Sequence, residues 1–484
     1  MNVALIPPLP HDEAVTADFL IELERLLGPR GLTHDPALTE PWLTDWRGRY
    51  HGRALALASP ASTDEVAATV SLCARHGVPI VPQGGNSSMS GGATPDASGT
   101  ALLLSLRRLD PIGPVEDGQV RCGAGVVLQN LHDTAERHGL RFPLTLGGKG
   151  SATVGGLIAT NAGGTQVLRH GTMRDQVLGL EAVLADGSII DLMSPLKKDN
   201  RGFDLKQVLI GSEGTLGIVT AATLRLKPRI AGRSVIWAGL QTIHDARALL
   251  LLAQQRAAAA LEGFEVLPRH CLAAVLDYLP AAREPLAGAA PWYALIELVA
   301  DNADDAGRLP ELAESLLGEA LVRDLVLDAT IAANEAQAEA LWLLRDSISP
   351  AERAIGPAMQ HDISVPVADM ADFIAATVPA VEARFAGTTA LAFGHLGDGN
   401  VHFHVLAPPG AERGAWEESV GKHVSRVVHD EVTAWHGSIS AEHGIGQMKR
   451  AELARLADPA RLAMMRAIKQ ALDPQGLLNP GKLL

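Results

Sequence analysis

Two histidines near the end of the chain have the spacing of metal ligands. The segment FGHLGDGNVHFHV (393–405) predicts a β-hairpin, because GDGN is a turn sequence and the residues after it alternate in polarity. The turn places His395 and His402 on opposite arms, close enough to share one ligand. Further on, SISAEHGIG places Glu442 and His443 beside a glycine-rich turn. Two histidines and one carboxylate form a three-ligand set with an open position, as in catalytic zinc sites.

The same hairpin is open to a second interpretation, in which its histidines only form hydrogen bonds inside a buried strand. His404 faces the same side as His402 by the two-residue period of a strand, and we interpret it as a packing residue. No cysteine lies in the cluster, which disfavours a closed structural zinc site. The sequence does not choose among zinc, manganese and cobalt, because all three accept nitrogen and oxygen ligands.

Glycine-rich stretches upstream indicate a second kind of chemistry. Many of the 48 glycines fall between residues 84 and 217. Runs of small residues leave successive backbone N–H groups bare, and such nests bind a pyrophosphate without cationic side chains. Tight turns and bulges are the alternative explanation. The three stretches are VPQGGNSSMSGG (81–92), PLTLGGKGSATVGGLIATNAGG (143–164) and GSEGTLGIVT (211–220).

The common phosphate-binding motifs do not account for these stretches. A P-loop requires Ser or Thr after its lysine, but Lys149 is followed by Gly150. The GxGxxG pattern that begins at Gly123 ends on Leu128 instead of glycine. The sequence therefore supports neither a P-loop ATPase nor a Rossmann NAD site.

The elements before the first stretch form a strand–helix–strand unit, as nucleotide-binding α/β folds often do. Residues 54–59 and 78–82 predict two strands, and the second leads into the glycine-rich loop. Between them, Ser62 is the predicted N-cap of a helix, Glu65 completes a capping box and Gly77 ends the helix.

The elements that follow are divided by a predicted domain boundary. Before it, a strand is predicted at 101–106 and a hairpin within 178–192, at its ADGS turn. The glycine clustering stops near 224–229, where we predict a domain boundary. From about residue 240, alanine-rich helices alternate with strands, and 460–475 predicts an amphipathic helix that ends at a DP pair.

Length, charge and cysteine content exclude several classes of protein. A chain of 484 residues is too long for one ordinary core. Its net charge of −14, with no block of Lys and Arg, disfavours non-specific nucleic-acid binding. It contains no apolar run of the roughly 18 to 20 residues that a spanning helix needs, and no signal-peptide pattern at its start. Cys73, Cys122 and Cys271 are far apart and odd in number, which predicts a reducing cytoplasm.

The glycine-rich stretches resemble the FAD-binding domain of the vanillyl-alcohol-oxidase superfamily, also called the PCMH type. The resemblance is closest to the D-2-hydroxyglutarate dehydrogenase group, on the segments PQGGNSS and KDNRGFDLKQVLIGSEGTLG, and it runs from about residue 40 to the end. It implies an α+β fold. After an N-terminal segment (1–39), a PCMH-type FAD-binding domain of two α+β subdomains (40–228) is followed by an α+β substrate domain (229–484). That domain has an antiparallel sheet and a C-terminal helical segment, and its last ~40 residues return to the FAD domain.

The resemblance also implies how FAD is held. In these proteins the first glycine-rich loop holds the FAD pyrophosphate, and the second stretch lines the isoalloxazine ring. Relatives with covalently bound flavin often have histidine at the position of Asn86; because asparagine cannot form that bond, we predict non-covalent FAD. The cofactor-binding positions carried over are Pro82, Gln83, Gly84, Gly85, Asn86, Ser87, Ser88, Pro143, Leu146, Gly147, Gly148, Ser151, Thr153, Gly155, Gly156, Asn161, Gly163, Glu213, Gly217, Ile218 and Asn479.

The histidine motifs match the same group. There, motifs of the GHxGDGNxH and EHGIG kinds supply two histidines and one glutamate as zinc ligands. The matching positions are His395, His402 and Glu442. Asn400 matches a residue that contacts the substrate, and His443 matches the candidate general base, which also contacts the substrate.

A distal carboxylate on the substrate is expected to bind Arg345, through its bidentate fork, and the nearby hydroxyl of Ser349. A surface arginine on a helix is the alternative interpretation. The group usually carries Lys two residues before the Asp of its KxDxSxP motif, where this chain has Gln360. One of two expected cationic contacts is therefore missing, unless His361 or another basic residue compensates.

These parts together predict an FAD-dependent dehydrogenase that oxidises a D-2-hydroxy acid to the 2-oxo acid. Hydride passes to flavin N5, a metal aids deprotonation of the hydroxyl, and His443 takes the proton. D-2-hydroxyglutarate is the first choice, ahead of D-lactate, D-malate or a more apolar acid. Two alternatives stay open: a metal-dependent hydrolase, which leaves the glycine-rich stretches unexplained, and a non-catalytic flavin-binding module.

The sequence leaves two kinds of partner undefined. The electron acceptor is a quinone, an electron-transfer flavoprotein or another carrier. The oligomeric state is not fixed, and a homodimer is one assembly that the sequence allows.

Overall fold

The computed structural model describes residues 13–484, so the predicted lack of a signal peptide falls almost entirely outside the described residues. The chain divides into two compact units. The first comprises the residues up to Ala162, Thr172–Lys227 and His443–Leu484, and the second comprises Gly163–Gly171 and Pro228–Glu442. No helix among the described residues is long and apolar enough to cross a membrane.

Strands and helices are interspersed along the whole described chain. The strands are β1 (Leu32–Thr33), β2 (Ala56–Ala58), β3 (Ile80–Gln83), β4 (Leu102–Ser105), β5 (Ile112–Glu116), β6 (Gln119–Gly123), β7 (Leu140–Arg141), β8 (Val177–Val183), β9 (Ile189–Leu192), β10 (Ile218–Arg225), β11 (Lys227–Pro228), β12 (Gly232–Leu240), β13 (Leu261–Pro268), β14 (Trp292–Ala300), β15 (Asp328–Ile331), β16 (Ala358–Ser364), β17 (Thr389–His395) and β18 (Asn400–Leu406). The helices are α1 (Glu13–Leu27), α2 (Pro36–Thr39), α3 (Thr63–His76), α4 (Leu128–Arg137), α5 (Val154–Thr160), α6 (Val167–His170), α7 (Met173–Gln176), α8 (Lys206–Leu209), α9 (Ile243–Ala257), α10 (Arg269–Tyr278), α11 (Ala303–Ala306), α12 (Leu309–Val322), α13 (Glu335–Asp346), α14 (Ile348–Ile355), α15 (Met370–Arg384), α16 (Lys422–Ala434), α17 (Arg450–Leu456) and α18 (Pro459–Leu472). A 3-10 turn (Glu40–Trp42) and a π turn (Glu417–Gly421) complete the set.

The first unit contains the predicted strand–helix–strand unit as β2, α3 and β3. Its first sheet has the order β1-β2-β4-β3, in which β2, β4 and β3 are parallel. Ser62 caps α3 by accepting the N–H of Glu65 at 3.1 Å, and Gly77 ends the helix with φ +66°. The capping box differs in one bond: the Glu65 carboxylate accepts the N–H of Ala61 at 2.7 Å rather than that of Ser62. The helix boundaries predicted from the sequence are otherwise confirmed.

A second sheet of the first unit is antiparallel, in the order β5-β6-β10-β8-β9. The predicted hairpin of residues 178–192 is confirmed as β8 and β9. The C-terminal helix is also confirmed, since α18 ends at Leu472 before Asp473. Lys469 on this helix donates hydrogen bonds to the carbonyls of Thr215 and Leu478, which fastens the helix within the unit.

The second unit is built on an antiparallel sheet of order β15-β12-β14-β13-β17-β18-β16. One face is apolar and packs on α9, α12, α15 and α16 through side chains such as Phe264, Ile296 and Phe403. The opposite face carries Trp237 and Tyr293 against α10 and α13. Because strand side chains alternate, this opposite face also receives the polar residues of the candidate site. The predicted α+β class is confirmed.

Candidate active site

The predicted hairpin is confirmed, and it brings the candidate metal ligands together. His395 is the last residue of β17, and it pairs across the turn with Asn400, the first residue of β18. The rings of His395 and His402 lie 5.4 Å apart. One ligand atom each of His395, His402 and Glu442 lies within 4.8 Å of the others. The three side chains therefore have a geometry that can hold one cation.

Glu442 is held in place through its backbone. Its N–H donates to Asp362 Oδ2 at 2.9 Å, and Asp362 Oδ1 accepts from Asn400 Nδ2 at 2.9 Å. Asn400 Nδ2 also donates to the carbonyl of Ile363 at 2.9 Å. A Cβ on Gly163 would lie 3.5 Å from the Glu442 carboxylate, so the missing side chain leaves that carboxylate room. The amide N–H₂ of Asn400 thus bonds to Asp362, the residue that positions the backbone of Glu442.

Burial and neighbouring charges give the three candidate ligands different acidities. Burial and adjoining cations lower the pKa of His402 well below its ordinary value. Burial also lowers the pKa of His395, but the Glu265 carboxylate outweighs it and raises this pKa to about 9. Burial, together with Asp362, raises the pKa of Glu442 to about 7. The site therefore combines a half-buried carboxylate with two imidazoles, which are ligands that a divalent cation can bind.

Sequence reasoning missed Glu265, the buried partner of this cluster. It lies on β13 with 1% of its surface exposed, and its Oε1 accepts from His395 Nδ1 at 2.5 Å. Its Oε2 accepts from Arg345 Nε at 2.8 Å. The available signal was a glutamate in the apolar strand sequence LEGFEVLP, since buried carboxylates are rare without a partner. Arg345 is therefore a largely buried ion-pair residue, with 12% of its side chain exposed, and not a surface arginine.

The other predicted substrate residues also lie in the second unit. Ser349 is half-buried on α14, and Gln360 on β16 pairs in register with His404. His404 donates to the carboxylate of the fully buried Glu352, so it does more than pack. His361 points to the opposite face, where its ring bonds to the Phe403 carbonyl. It therefore does not compensate for the missing lysine on the face of Gln360.

The candidate base, His443, is the first residue of the segment that returns to the first unit. The Ser90 hydroxyl lies 3.1 Å from the carbonyl oxygen of His443. The Glu213 carboxylate accepts the N–H groups of Ile445 and Gly446, each at 2.7 Å. Glu213, predicted as a cofactor residue, thus supports the loop that carries His443.

The three glycine-rich stretches, except for Gly163 and Gly164, lie in the first unit, where they contact one another. A Cβ on Gly84 would lie 2.2 Å from Thr153 Oγ1, and one on Gly85 would lie 1.8 Å from the carbonyl oxygen of Ser151. Gly214 of the third stretch meets Pro82 in the same way, at 2.6 Å. Glycine is required at these contacts because any side chain would collide with its neighbour.

Two buried polar atoms in the first unit lack the hydrogen-bond partners that a bound ligand could supply. Thr153 Oγ1 and Asn479 Oδ1 have no hydrogen-bond partner within the described part of the chain. Buried polar atoms normally have partners, so a polar ligand such as a dinucleotide would satisfy them. Asn86 adopts φ +52° and donates to the carbonyl of Thr44 at 2.9 Å. Its amide fixes the first loop, in agreement with a flavin that is not attached at this position.

Some of the predicted cofactor residues have structural roles of their own. Asn161 Oδ1 accepts from Thr172 and from the N–H of Arg174, which fixes the turn after α5. Gly155 allows α5 to approach Ala124 closely, because a Cβ on Gly155 would lie 2.7 Å from the Cβ of Ala124. Gly163 belongs to the second unit, beside Glu442. The cofactor contacts of these residues stay predictions.

Comparison with known families accounts for most of the chain. Residues 54–193 match the FAD binding domain, and residues 231–483 match the C-terminal domain of FAD linked oxidases. The D-2-hydroxyglutarate dehydrogenase of Xanthomonas citri pv. viticola is 35% identical over 96% of both chains. The mitochondrial D-2-hydroxyglutarate dehydrogenase of Bos taurus is 36% identical over 97% of this chain and 84% of the relative. The chain belongs to the FAD-linked oxidases, in the group of the D-2-hydroxyglutarate dehydrogenases.

The solved structures agree with the fold of this FAD-linked oxidase. p-Cresol methylhydroxylase with bound substrate superposes with a TM-score of 0.73 at 14% identity, covering 98% of both chains. The predicted PCMH-type FAD-binding fold is confirmed. The family models and the curated relatives confirm FAD as the cofactor and an oxidoreductase as the class of enzyme. The hydrolase and non-catalytic alternatives are wrong. The metal and the cellular location stay predictions.

Proposed function

We propose that this FAD-linked oxidase oxidises a D-2-hydroxy acid to the 2-oxo acid, with D-2-hydroxyglutarate as the first choice of substrate. One observation carries the proposal: the ligand atoms of His395, His402 and Glu442 lie within 4.8 Å of one another, in a chain similar to D-2-hydroxyglutarate dehydrogenases. D-Lactate, D-malate and a more apolar acid are the other candidates.

Zinc is the metal that we propose first. Two imidazoles and one carboxylate, with a position left for substrate, are the usual ligands of catalytic zinc, and manganese or cobalt accepts the same atoms. When bound, the metal supplies a positive charge that makes a neighbouring hydroxyl more acidic. FAD, held non-covalently, supplies the hydride acceptor.

The chain's own residues bind and deprotonate the acid. His443 is the proposed general base, because a histidine side chain exchanges protons near neutral pH. Arg345 and Ser349 are proposed to bind a distal carboxylate, with Gln360 beside them. Asn400 is proposed to contact the substrate, which its buried and unpartnered Oδ1 supports within the described residues.

The electron acceptor and the location are the remaining parts of the proposal. We retain a quinone or an electron-transfer flavoprotein as acceptor. We also retain the cytoplasm, since Cys73, Cys122 and Cys271 are free thiols in the structure. The bovine relative is named as mitochondrial, which describes that protein.

The visible spectrum of the purified enzyme tests the reaction. Under anaerobic conditions, D-2-hydroxyglutarate should bleach the flavin bands, and its L-enantiomer should leave them unchanged. Flavin bands that no D-2-hydroxy acid bleaches would contradict the proposed substrate class. Acid precipitation of the protein should release the yellow colour into the supernatant; colour that remains in the pellet would contradict non-covalent binding.

Removal of the metal tests its role separately. Chelation should abolish flavin reduction by D-2-hydroxyglutarate while FAD stays bound, and Zn²⁺ should restore it. Full activity in a thoroughly metal-stripped sample would show that His395, His402 and Glu442 have another role.

A further inference from the structure

Glu265 connects the candidate metal site to the candidate substrate anchor. It faces His395 directly, because the two are a cross-strand pair of β13 and β17. One carboxylate oxygen accepts from His395 Nδ1 at 2.5 Å, and the other accepts from Arg345 Nε at 2.8 Å. Only 1% of its surface is exposed. A carboxylate this deeply buried requires such partners, and both of its partners are residues of the proposed site.

The bond to His395 selects one form of the imidazole. A metal ligand must be a neutral imidazole, which has one donor and one acceptor nitrogen. The carboxylate of Glu265 can only accept, so the hydrogen lies on Nδ1 and the lone pair on Nε2. Nε2 lies 3.9 Å from Glu442 Oε1, on the side of the other candidate ligands. Arg345 Nη2, which can only donate, lies 3.5 Å from the same Nε2. Of the two neutral tautomers, these surroundings therefore favour the one that presents Nε2 to a metal.

The second oxygen of Glu265 fixes the guanidinium group of Arg345. Its side chain is 12% exposed and lies over the Phe393 ring at 5.6 Å, so the ion pair with Glu265 is well shielded from water. An arginine held at Nε keeps its remaining N–H groups in a defined plane. Loss of this hold would therefore affect the arginine as well as the histidine.

We propose that Glu265 is the positioning residue of the site: it orients His395 to bind the metal through Nε2, and it orients Arg345 to bind the distal carboxylate of the substrate. The inference rests on the proposed function. It assigns a role to a residue that touches neither the metal nor the substrate.

Glu265→Gln tests the proposal, because the amide keeps the size of the side chain but can no longer accept at both ends. In one orientation, its N–H₂ faces His395 Nδ1 and requires the tautomer that cannot bind a metal through Nε2. In metal-stripped enzyme that retains FAD, the Zn²⁺ dissociation constant should rise roughly 10- to 100-fold, measured by competition with a chromophoric chelator. The matched control is Glu297→Gln: Glu297 is also buried on this sheet face and pairs with Arg233, and its loss should leave the Zn²⁺ constant unchanged.

A second measurement concerns Arg345. In Glu265→Gln enzyme saturated with Zn²⁺, KM for D-2-hydroxyglutarate should rise more than KM for D-lactate, which has no distal carboxylate. A purely structural role of Glu265 would change both constants alike. Equal changes would therefore overturn the part of the inference that concerns Arg345.

The outcomes separate this inference from the proposed function. If wild type binds Zn²⁺ and Glu265→Gln binds it as tightly, the inference fails and the metal site stands. If wild type binds no divalent metal, the proposed metal site fails and the inference fails with it. If Glu265→Gln does not fold, Glu265→Asp keeps the charge but withdraws it from His395. Glu265→Asp should bind Zn²⁺ more weakly than wild type and Glu297→Gln, but should still bind it. Wild-type affinity in Glu265→Asp would overturn the inference.

Discussion

The carboxylate of Asp362 accepts the backbone N–H of Glu442 at 2.9 Å. Its other oxygen accepts from Asn400 Nδ2 at 2.9 Å. Asp362 therefore joins the strand pair that carries the histidines to the segment that carries the glutamate. Its position is also paired in register with His402, so one residue contacts both halves of the candidate metal site.

Asp362→Asn should lower the stability of the protein and weaken its metal binding. An asparagine has one acceptor oxygen, so one of the two N–H donors loses its partner in a buried place. Such a loss costs about 1–3 kcal/mol, or about 2–4 °C of thermal midpoint for each kcal/mol in a unit of this size. Thermal unfolding followed by circular dichroism measures it. Asp372→Asn, at an exposed residue that contacts His244, is the control; equal midpoints in the two variants would contradict the role of Asp362.

Local features of the site could be predicted from the sequence, and long-range partners could not. The hairpin that pairs His395 with His402 follows from a turn sequence and an alternating pattern, both within a few residues. Glu265 lies 130 residues before His395, and their contact depends on which strands become neighbours in the sheet. Strand order is set by packing of the whole unit and leaves no local signal. For the same reason, the sequence did not predict that His404 is bonded to Glu352.

Gly85→Ala should reduce the FAD content of the purified enzyme. Its Cβ would lie 1.8 Å from the carbonyl oxygen of Ser151, so the two loops must separate at the proposed pyrophosphate site. Gly318→Ala, on α12 and outside the glycine-rich stretches, is the control, because a Cβ there also meets nothing within 4 Å. The ratio of flavin absorbance to protein measures the effect. A Gly85→Ala enzyme with full FAD content would show that the close contact of these loops is not needed for the cofactor.

The three cysteines should be unreactive in the folded protein. Burial raises the pKa of the Cys122 thiol to about 12, and it also raises the pKa values of Cys73 and Cys271. The thiolate is the reactive form, so raising the pH from 7 to 9 should not accelerate thiol labelling of the native protein. In denaturant, all three should react, and faster at pH 9. A thiol that reacts rapidly in the native enzyme would contradict their burial.

His443→Asn should slow reduction of the flavin by roughly 10²- to 10⁴-fold, which is the usual effect of losing a general base. Asparagine keeps much of the size of the side chain but cannot take a proton. Stopped-flow mixing with D-2-hydroxyglutarate measures the rate without interference from the electron acceptor. His423→Asn, at an exposed position on α16, is the control and should reduce its flavin at the wild-type rate. An unchanged rate in His443→Asn would assign the proton transfer to another group.

Gln360→Lys should shift the preference of the enzyme toward substrates with a distal carboxylate. Gln360 lies on the site face of β16, paired in register with His404, and His361 beside it points to the opposite face. A charge-assisted hydrogen bond contributes about 1.5 to 3 kcal/mol, so kcat/KM for D-2-hydroxyglutarate relative to D-lactate should rise about tenfold to a hundredfold. Gln255→Lys adds the same charge at an exposed position of α9 and should leave the ratio unchanged. If the ratio is the same in wild type and Gln360→Lys, position 360 does not contact the distal group, and any preference for hydroxyglutarate must depend on Arg345 and Ser349.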